Sequence, residues 1–177
     1  MKKSLFVILS LALCFVSCQT NESTNRALDL ASEVNPMIGT DFTGNTYPGA
    51  QAPFGMVQLS PDNGLPGWDR ISGYFYPDST IAGFSHTHLS GTGAGDLYDV
   101  NFMPVMLPAK TAEEPLGIHS KFSHKNENAR AGYYQVYLTD YDINVELTAT
   151  SRCGIQRYTF PKGDAAIILN LKKAMNW

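Results

Sequence analysis

Hydrophobic and polar residues alternate most clearly in the C-terminal third of the chain. In residues 143–150 the apolar side chains take every second position and polar side chains take most of the others, which is typical of a half-buried antiparallel strand. Residues 133–139 and 154–160 give further strand predictions on either side of it. Residues 165–169 are instead all apolar, which predicts a strand that is buried on both faces.

The preceding part of the chain predicts short strands between long, ordered loops. Residues 35–67 and 77–96 are rich in Gly, Pro, Asn, Asp, Ser and Thr, the residues that favour turns. Between and after them lie β-prone runs at 56–59, 73–76, 81–84 and 100–107, and Pro104 predicts a bulge or an edge in the last one. Strand predictions recur about every 10 residues without a long amphipathic helix, which favours an all-β protein, an antiparallel β-sandwich.

The N-terminal segment has the pattern of a signal peptide. Lys2 and Lys3 precede an apolar run at 5–16 that only Ser10 interrupts. Such a run makes about 18 Å of helix, too short to cross a hydrocarbon core of about 30 Å. The residues before Cys18 resemble a bacterial lipobox, so we expect Cys18 to carry a lipid; ordinary secretory cleavage nearby is the alternative.

These features divide the chain into a lipoprotein signal peptide at 1–17, a polar tether at 18–33 and a domain at 34–177. The expected location is the bacterial cell envelope, with a lipid anchor holding the protein to the outer membrane surface or in the periplasm.

Composition restricts the class of protein further. The chain has 177 residues, of which 44% are hydrophobic and 16% charged, enough for one domain with a core. Its pI near 5.7 argues against a nucleic-acid partner. Removing residues 1–17 leaves 11 basic and 16 acidic residues, a net charge of −5. If Cys18 carries lipid, Cys153 is the one remaining cysteine of the mature chain, and no intramolecular disulfide can form.

Candidate binding chemistry lies in two loops. His86 and His88 are two positions apart, so on a strand they would share a face and could line a pocket; without a nearby third ligand, zinc is not favoured. The loop at 84–93 also concentrates hydroxyls and glycines. Trp68 and Asp69 combine a flat ring with a carboxylate, a combination that suits a sugar, although a core tryptophan is the alternative for Trp68. Residues 140–145 imitate the start of a calcium loop but have Val145 where the loop needs glycine.

Several segments form a recognisable series along the chain: VNPMIGT at 34–40, YPGA at 47–50, APFGMVQLSPD at 52–62, GWD at 67–69, the run 72–93, and Gly95 with Asp96. In this order they resemble glycoside hydrolase family 92, the calcium-dependent α-mannosidases. Asn45, Tyr47 and Ala94 are small departures from the family pattern.

The resemblance implies the N-terminal β-sandwich domain of a two-domain glycosidase, followed in the family by a larger (α/α)₆ barrel. Members are exo-acting and inverting: a glutamic acid protonates the leaving oxygen, a second carboxylate activates water, and Ca²⁺ engages mannose hydroxyls. Trp68 matches a tryptophan that reaches the leaving-sugar subsite. Asp69, His86, His88 and Asp96 are further candidates for substrate binding, at the domain interface or pocket wall. The family's acid, base and most calcium ligands belong to the barrel, so no catalytic or metal residue is assigned here.

Three hypotheses follow. The chain is the front portion of an extracytoplasmic α-mannosidase that degrades mannose-containing glycans and is inactive without the barrel; or it is a stand-alone carbohydrate-binding surface lipoprotein; or it is a non-functional remnant. The sequence ends at Trp177, six residues after the run that closes at Leu171. We therefore expect the sandwich to be incomplete at its C-terminus, with the catalytic domain as its missing partner.

Overall fold

The computed structural model describes residues 29–91, 97–110 and 117–171, which form an all-β, antiparallel structure without an α-helix in those ranges. Its 3₁₀ helices are η1 (Leu30–Glu33), η2 (Trp68–Arg70) and η3 (His124–Asn126). Its strands are β1 (Ala50–Gln51), β2 (Gln58–Asp62), β3 (Thr80–Ile81), β4 (Gly83–Ser85), β5 (Asn101–Met106), β6 (Ser120–Lys121), β7 (Glu127–Arg130), β8 (Tyr133–Leu138), β9 (Ile143–Ala149), β10 (Gly154–Thr159) and β11 (Ala165–Asn170).

These strands pair into three antiparallel sheets. The largest has the order β1-β2-β4-β5-β11, the second β10-β9-β8-β7, and a small third sheet pairs β3 with β6. The second sheet is a meander because its strands are neighbours in sequence, whereas β11 follows β10 in sequence but pairs with β5 in the largest sheet.

The alternating pattern of the C-terminal third is confirmed. In β9, Ile143, Val145 and Leu147 are buried, while Asn144 and Glu146 lie on the other face and are half-buried. The partner strand β8 alternates in the same way, and the register places Val136 opposite Val145. Apolar side chains of both strands therefore meet on one face of the sheet.

One hydrophobic core joins the two large sheets. The five-stranded sheet contributes Leu59, Phe84, Met103 and Val105, and the four-stranded sheet contributes Tyr134, Val136, Leu138, Ile143, Val145 and Leu147. Burial of this shared face is the main source of stability for a sheet that has no disulfide among the described residues.

The prediction that the strand at 165–171 is buried on both faces is wrong. Ala166 and Ile168 of β11 pack against the core, but Ile167 is 52% exposed and Leu169 is 45% exposed. β11 is the edge strand of its sheet, and no other described segment covers its outer face. A continuous apolar run is compatible with burial on both faces of a strand. Whether the second face is buried depends on another layer of the fold, and the described residues do not provide that layer for β11.

Of the shorter β-prone runs predicted in the N-terminal part, some form strands and one does not. The run at 100–107 forms β5, and the expectation for Pro104 is met because β4 pairs with β5 only through Phe84 and Phe102, which leaves Pro104 one neighbouring strand. Residues 73–76 do not form a strand, since Gly73 has φ +89° and turns the chain. The end of the predicted tether, residues 30–33, forms the exposed helix η1.

Asp140 links the turn between β8 and β9 to two other segments. Its carboxylate accepts hydrogen bonds from the Lys121 backbone N–H at 2.8 Å and from Lys110 Nζ at 3.3 Å. These interactions lower the pKa of Asp140 below its ordinary value of 3.8, and the hydrogen bond from the Lys121 N–H has the largest effect. A lowered pKa means that the native state is stabilised while the carboxylate is ionised, above the pKa of the unfolded chain, and that this contribution disappears as the pH falls through the folded pKa.

Replacing Asp140 with Asn should therefore destabilise the protein at pH 7, and the loss should shrink as the pH falls through the lowered pKa of Asp140, because the wild-type carboxylate then becomes protonated as well. Urea unfolding of both proteins over a series of pH values from neutral to strongly acidic measures the difference. Asp164→Asn is the matched control because Asp164 is exposed. A loss that stays constant over the series would contradict the assigned role of the charge.

Candidate functional site

Trp68 begins the short helix η2 and lies at the surface. The residue is 49% exposed, and Asp69 beside it is half-buried. Hydrogen bonds from Arg70 N–H to Gly67 O at 2.9 Å and from Ile71 N–H to Trp68 O close the turn. Trp68 is therefore not a core tryptophan, and its ring can contact a ligand from solution.

An ion pair between Arg70 and Asp78 fixes the turn that carries Trp68. Arg70 donates from Nε and from Nη2 to the two carboxylate oxygens of Asp78, at 2.6 and 2.5 Å. Its guanidinium also lies 4.9 Å from the centre of the Phe75 ring. The hydrogen bonds to Asp78 are the main cause that raises the pKa of Arg70. Because Ile71 is buried as well, the tryptophan is placed before a ligand arrives, which lowers the entropic cost of binding.

A buried polar network surrounds Asp62, the last residue of β2. Asp62 Oδ1 lies 2.8 Å from His88 Nε2, and Asp62 Oδ2 accepts hydrogen bonds from the Ser85 hydroxyl and, at 2.7 Å, from Asn101 Nδ2. The other ring nitrogen of His88 lies 2.7 Å from the Gln58 carbonyl oxygen. The His88 and Asp62 side chains are fully buried, so all these bonds form away from water.

Both ring nitrogens of His88 are paired. Nδ1 carries the proton that is donated to the Gln58 carbonyl oxygen, because a carbonyl oxygen can only accept, and Nε2 shares a hydrogen bond with the Asp62 carboxyl group. The polar atoms of both side chains therefore have hydrogen-bond partners, the condition under which buried polar groups are tolerated. Because the His88 side chain is buried, it stabilises the loop and cannot contact a ligand directly.

Two glycines make room for this network. Gly73 has φ +89°, and a Cβ there would lie 2.7 Å from Asp62 Oδ1 and 3.0 Å from the His88 ring. Gly83 has φ +147°, and a Cβ there would overlap the Asn101 amide group. The sequence shows these residues only as loop and strand glycines, whereas the structure shows that the buried polar side chains occupy the missing space.

His86 has a different environment from His88. Strand β4 ends at Ser85, so both histidines follow the strand and do not share a strand face as expected. His86 is half-buried, its Nδ1 lies 3.0 Å from the Val100 carbonyl oxygen, and its ring contacts Phe102 edge-on at 5.6 Å. His86 therefore remains the more accessible of the two candidates.

The loop that faces His86 is conformationally strained. Leu97, Tyr98 and Val100 have φ values of +78°, +63° and +56°, which cost about 1 kcal/mol or more each for residues with a Cβ. Thr87 holds the loop, because its carbonyl accepts from Tyr98 N–H and its Oγ1 accepts from Asp99 N–H, both at 3.0 Å. Backbone strain of this kind concentrates at functional sites, and the sequence pattern gave no indication of it.

Tyr98 connects the two candidate loops. Its hydroxyl donates to the Ile71 carbonyl oxygen, directly after η2, and its ring packs edge-on against His88 at 5.5 Å. The structure thus brings the Trp68 turn and the histidine loop together through a residue that the sequence analysis missed.

Some predicted residues cannot be placed. Asp96 and Cys18 lie outside the described residues. Within 29–91, 97–110 and 117–171 there is no group of three His, Cys, Asp or Glu side chains that could hold a metal ion. The same ranges contain no helix with the length and apolar character needed to cross a membrane.

Comparison with known proteins places the chain in a family. The model of the glycosyl hydrolase family 92 N-terminal domain matches residues 33–177. The chain therefore belongs to this family, as its resemblance implied, and corresponds to the N-terminal domain. A curated relative, an uncharacterized secreted glycosidase from Arthroderma benhamiae, is 28% identical over 144 residues, which cover 77% of this chain and 18% of the relative.

Solved structures of the family are similar to this chain. An α-mannosidase from Bacteroides thetaiotaomicron, solved in complex with mannoimidazole, is 44% identical with a TM-score of 0.77; the match covers 82% of this chain and 20% of that one. An inverting mannosidase from the same organism is 31% identical with a TM-score of 0.62, and the match covers 77% of this chain and 19% of that one. The chain thus spans about a fifth of the length of these enzymes.

The Asp62 network leads to a stability prediction. Asp62→Ala leaves the buried polar groups of Ser85, His88 and Asn101 without a partner and should cost about 3–5 kcal/mol, whereas Asp69→Ala, at a half-buried surface position, should cost less than about 1 kcal/mol. Asp62→Asn keeps the shape and should lie between them. Thermal unfolding followed by circular dichroism ranks the three variants, and similar losses for Asp62→Ala and Asp69→Ala would contradict the role assigned to the Asp62 network.

Proposed function

We propose that this chain is the sugar-contacting N-terminal domain of an exo-acting, inverting α-mannosidase that hydrolyses α-mannosidic bonds in glycans. In this proposal the two large sheets are the layers of a β-sandwich. A helical (α/α)₆ domain supplies the acid and the base, so the chain is inactive without it. The observation that carries the proposal is the exposed Trp68 ring on its anchored turn, and the similarity to two solved mannosidases supports the reaction class.

Trp68 acts by covering the C–H face of the leaving sugar with its indole ring. A fixed, flat, apolar surface holds the sugar in one orientation without ordering a flexible side chain first. Asp69, next to Trp68 in the same turn, and His86, in the histidine loop, are candidates to pair with sugar hydroxyls. The chemical step needs two carboxylates on either side of the scissile bond, and these belong to the helical domain in this proposal. Most calcium ligands belong to the helical domain too in this proposal.

Two exposed phenylalanines suggest where the helical domain would lie. Phe42 is 81% exposed and Phe54 is fully exposed. Both have positive φ values, +52° and +57°, a backbone conformation that costs free energy for residues with a Cβ. Large apolar side chains left exposed can belong to an interface. In this proposal Phe42 and Phe54 contact the helical domain.

The first test concerns the length of the gene product and the role of Trp68. Sequencing past the Trp177 codon should show an open frame that encodes a large helical domain. The longer protein should release mannose from α-mannobiose with inversion, followed by proton NMR, and Trp68→Ala should lower kcat/KM by about 10- to 100-fold. The chain ending at Trp177 should release none.

An immediate stop codon would instead favour the stand-alone binding lipoprotein. In that case calorimetry with mannose and α-mannobiose should detect heat that Trp68→Ala abolishes. A chain that binds neither sugar and unfolds without a cooperative transition would leave only the remnant hypothesis.

The location is a separate proposal, supported by the lipobox-like residues before Cys18. Lipid on Cys18 would tether the domain to the cell envelope through residues 18–33. Radiolabelled palmitate should enter the wild-type protein in bacteria, and Cys18→Ser should abolish the label and release the protein from the membrane fraction. Cys153→Ser is the control, and label that persists in Cys18→Ser would contradict the anchor.

A further inference from the structure

The four-stranded sheet has a groove of about 480 Å³ on the face that points away from the core. Gln135 and Tyr137 of β8 alternate with the buried Tyr134, Val136 and Leu138, so their side chains occupy the outer face. The residues of this outer-face groove that concern the argument are Lys125, Asn126, Asn128, Gln135, Tyr137 and Asn144. No residue of the Trp68 turn or of the histidine loop lines it.

The strands β8, β9 and β10 order part of this surface in advance. Gln135 Nε2 donates to Asn144 Oδ1 at 2.9 Å, and Tyr133 OH donates to Glu146 Oε1 at 2.7 Å. Arg157 on β10 donates from Nε to Glu146 Oε2 at 2.7 Å. These side chains have restricted positions before a ligand binds, which reduces the entropic cost of binding.

The rim of the groove offers unsatisfied polar groups. Lys125, Asn126 and Asn128 are exposed. Their side chains make no hydrogen bond or ion pair with the rest of the described chain. An amide offers both an N–H₂ donor and a carbonyl acceptor, the combination that neighbouring sugar hydroxyls need because each hydroxyl also donates and accepts.

The Glu127 carboxylate does not take part in the groove's chemistry. Glu127 pairs with Val136 of β8, whose side chain faces the core, so the Glu127 side chain lies on the core face of the sheet and is only 3% exposed. Its carboxylate accepts hydrogen bonds from Tyr134 OH at 2.6 Å and from Tyr74 OH at 2.9 Å. The amides and the Tyr137 ring therefore define the recognition chemistry of the outer face.

The charges favour a neutral ligand. Lys125 is the cation among the lining residues, and carboxylates lie close by, since Asp142 accepts from Tyr137 OH at 3.1 Å and Glu146 is near Asn144. A phosphate or sulfate would therefore meet little net attraction. The amide-rich lining also disfavours an apolar ligand.

We propose that the outer-face groove is a second carbohydrate site, which binds a neutral hexose unit of a glycan through the amides of Asn126, Asn128, Gln135 and Asn144 and the ring of Tyr137. It is separate from the Trp68 site and does not depend on the role proposed for Trp68. Its function would be to hold a glycan on the domain while another part of that glycan is processed or released.

The test removes the Trp68 site first. In the full chain carrying Trp68→Ala, titration with mannose and α-mannobiose, followed by nitrogen-15 amide NMR shifts, should show binding in the millimolar range of Kd, which is about −4 kcal/mol or slightly weaker. The shifts should centre on β7, β8 and β9. Adding Asn126→Ala and Asn128→Ala should weaken the binding about tenfold, or 1.4 kcal/mol, with unchanged thermal unfolding because both residues are exposed.

Asn35→Ala is the matched control, since Asn35 is an exposed asparagine outside the groove, and it should leave the affinity unchanged. Gln135→Ala gives a second reading from the ordered part of the groove and should also weaken binding. If the Trp68→Ala chain binds neither sugar at about 50 mM, the second site is wrong while the proposal for Trp68 is untouched. Tighter binding of mannose 6-phosphate than of mannose would also overturn the assignment to a neutral hexose.

Discussion

The buried carboxylate of Asp62 is the group on which the arrangement of the candidate site depends. It ends β2 and accepts hydrogen bonds from Ser85 of β4 and Asn101 of β5, while its other oxygen is hydrogen-bonded to His88. His88 also reaches Gln58 at the other end of β2. One buried side chain thus links three neighbouring strands and the loop that leaves them, and its burial requires these partners to be present.

The loops above this network are coupled to each other. Tyr98 contacts His88 through its ring and Ile71 through its hydroxyl, so the strained segment after residue 96 and the turn that carries Trp68 share a support. The Arg70–Asp78 pair fixes the same turn from the other side. The exposed Trp68 therefore lies on a turn that hydrogen bonds fix on two sides. Binding residues are often found on loops that a stable scaffold positions in this way.

How far the sequence predicted this structure depended on the range of the interactions. The strand β9 was predictable because its alternation is local, and the family was recognisable from contiguous segments. The burial of β11 was not, because it depends on whether another layer covers the sheet. The environments of His86 and His88 were also out of reach, since β4 ends at Ser85 and the partner of His88 lies 26 residues away. The exposure of Trp68, left open by the sequence, is decided by the anchoring of η2.

The glycines beside the network have a consequence for how this chain can evolve. Gly73 and Gly83 contribute no functional group, yet a methyl group at either position would enter space held by Asp62, His88 or Asn101. Their tolerance to mutation is set by the electrostatic neighbours they accommodate rather than by turn geometry alone. We expect sequence drift in this domain to keep such glycines and the buried Asp62–His88 pair together, as one inherited unit, even where the exposed loops around them diverge.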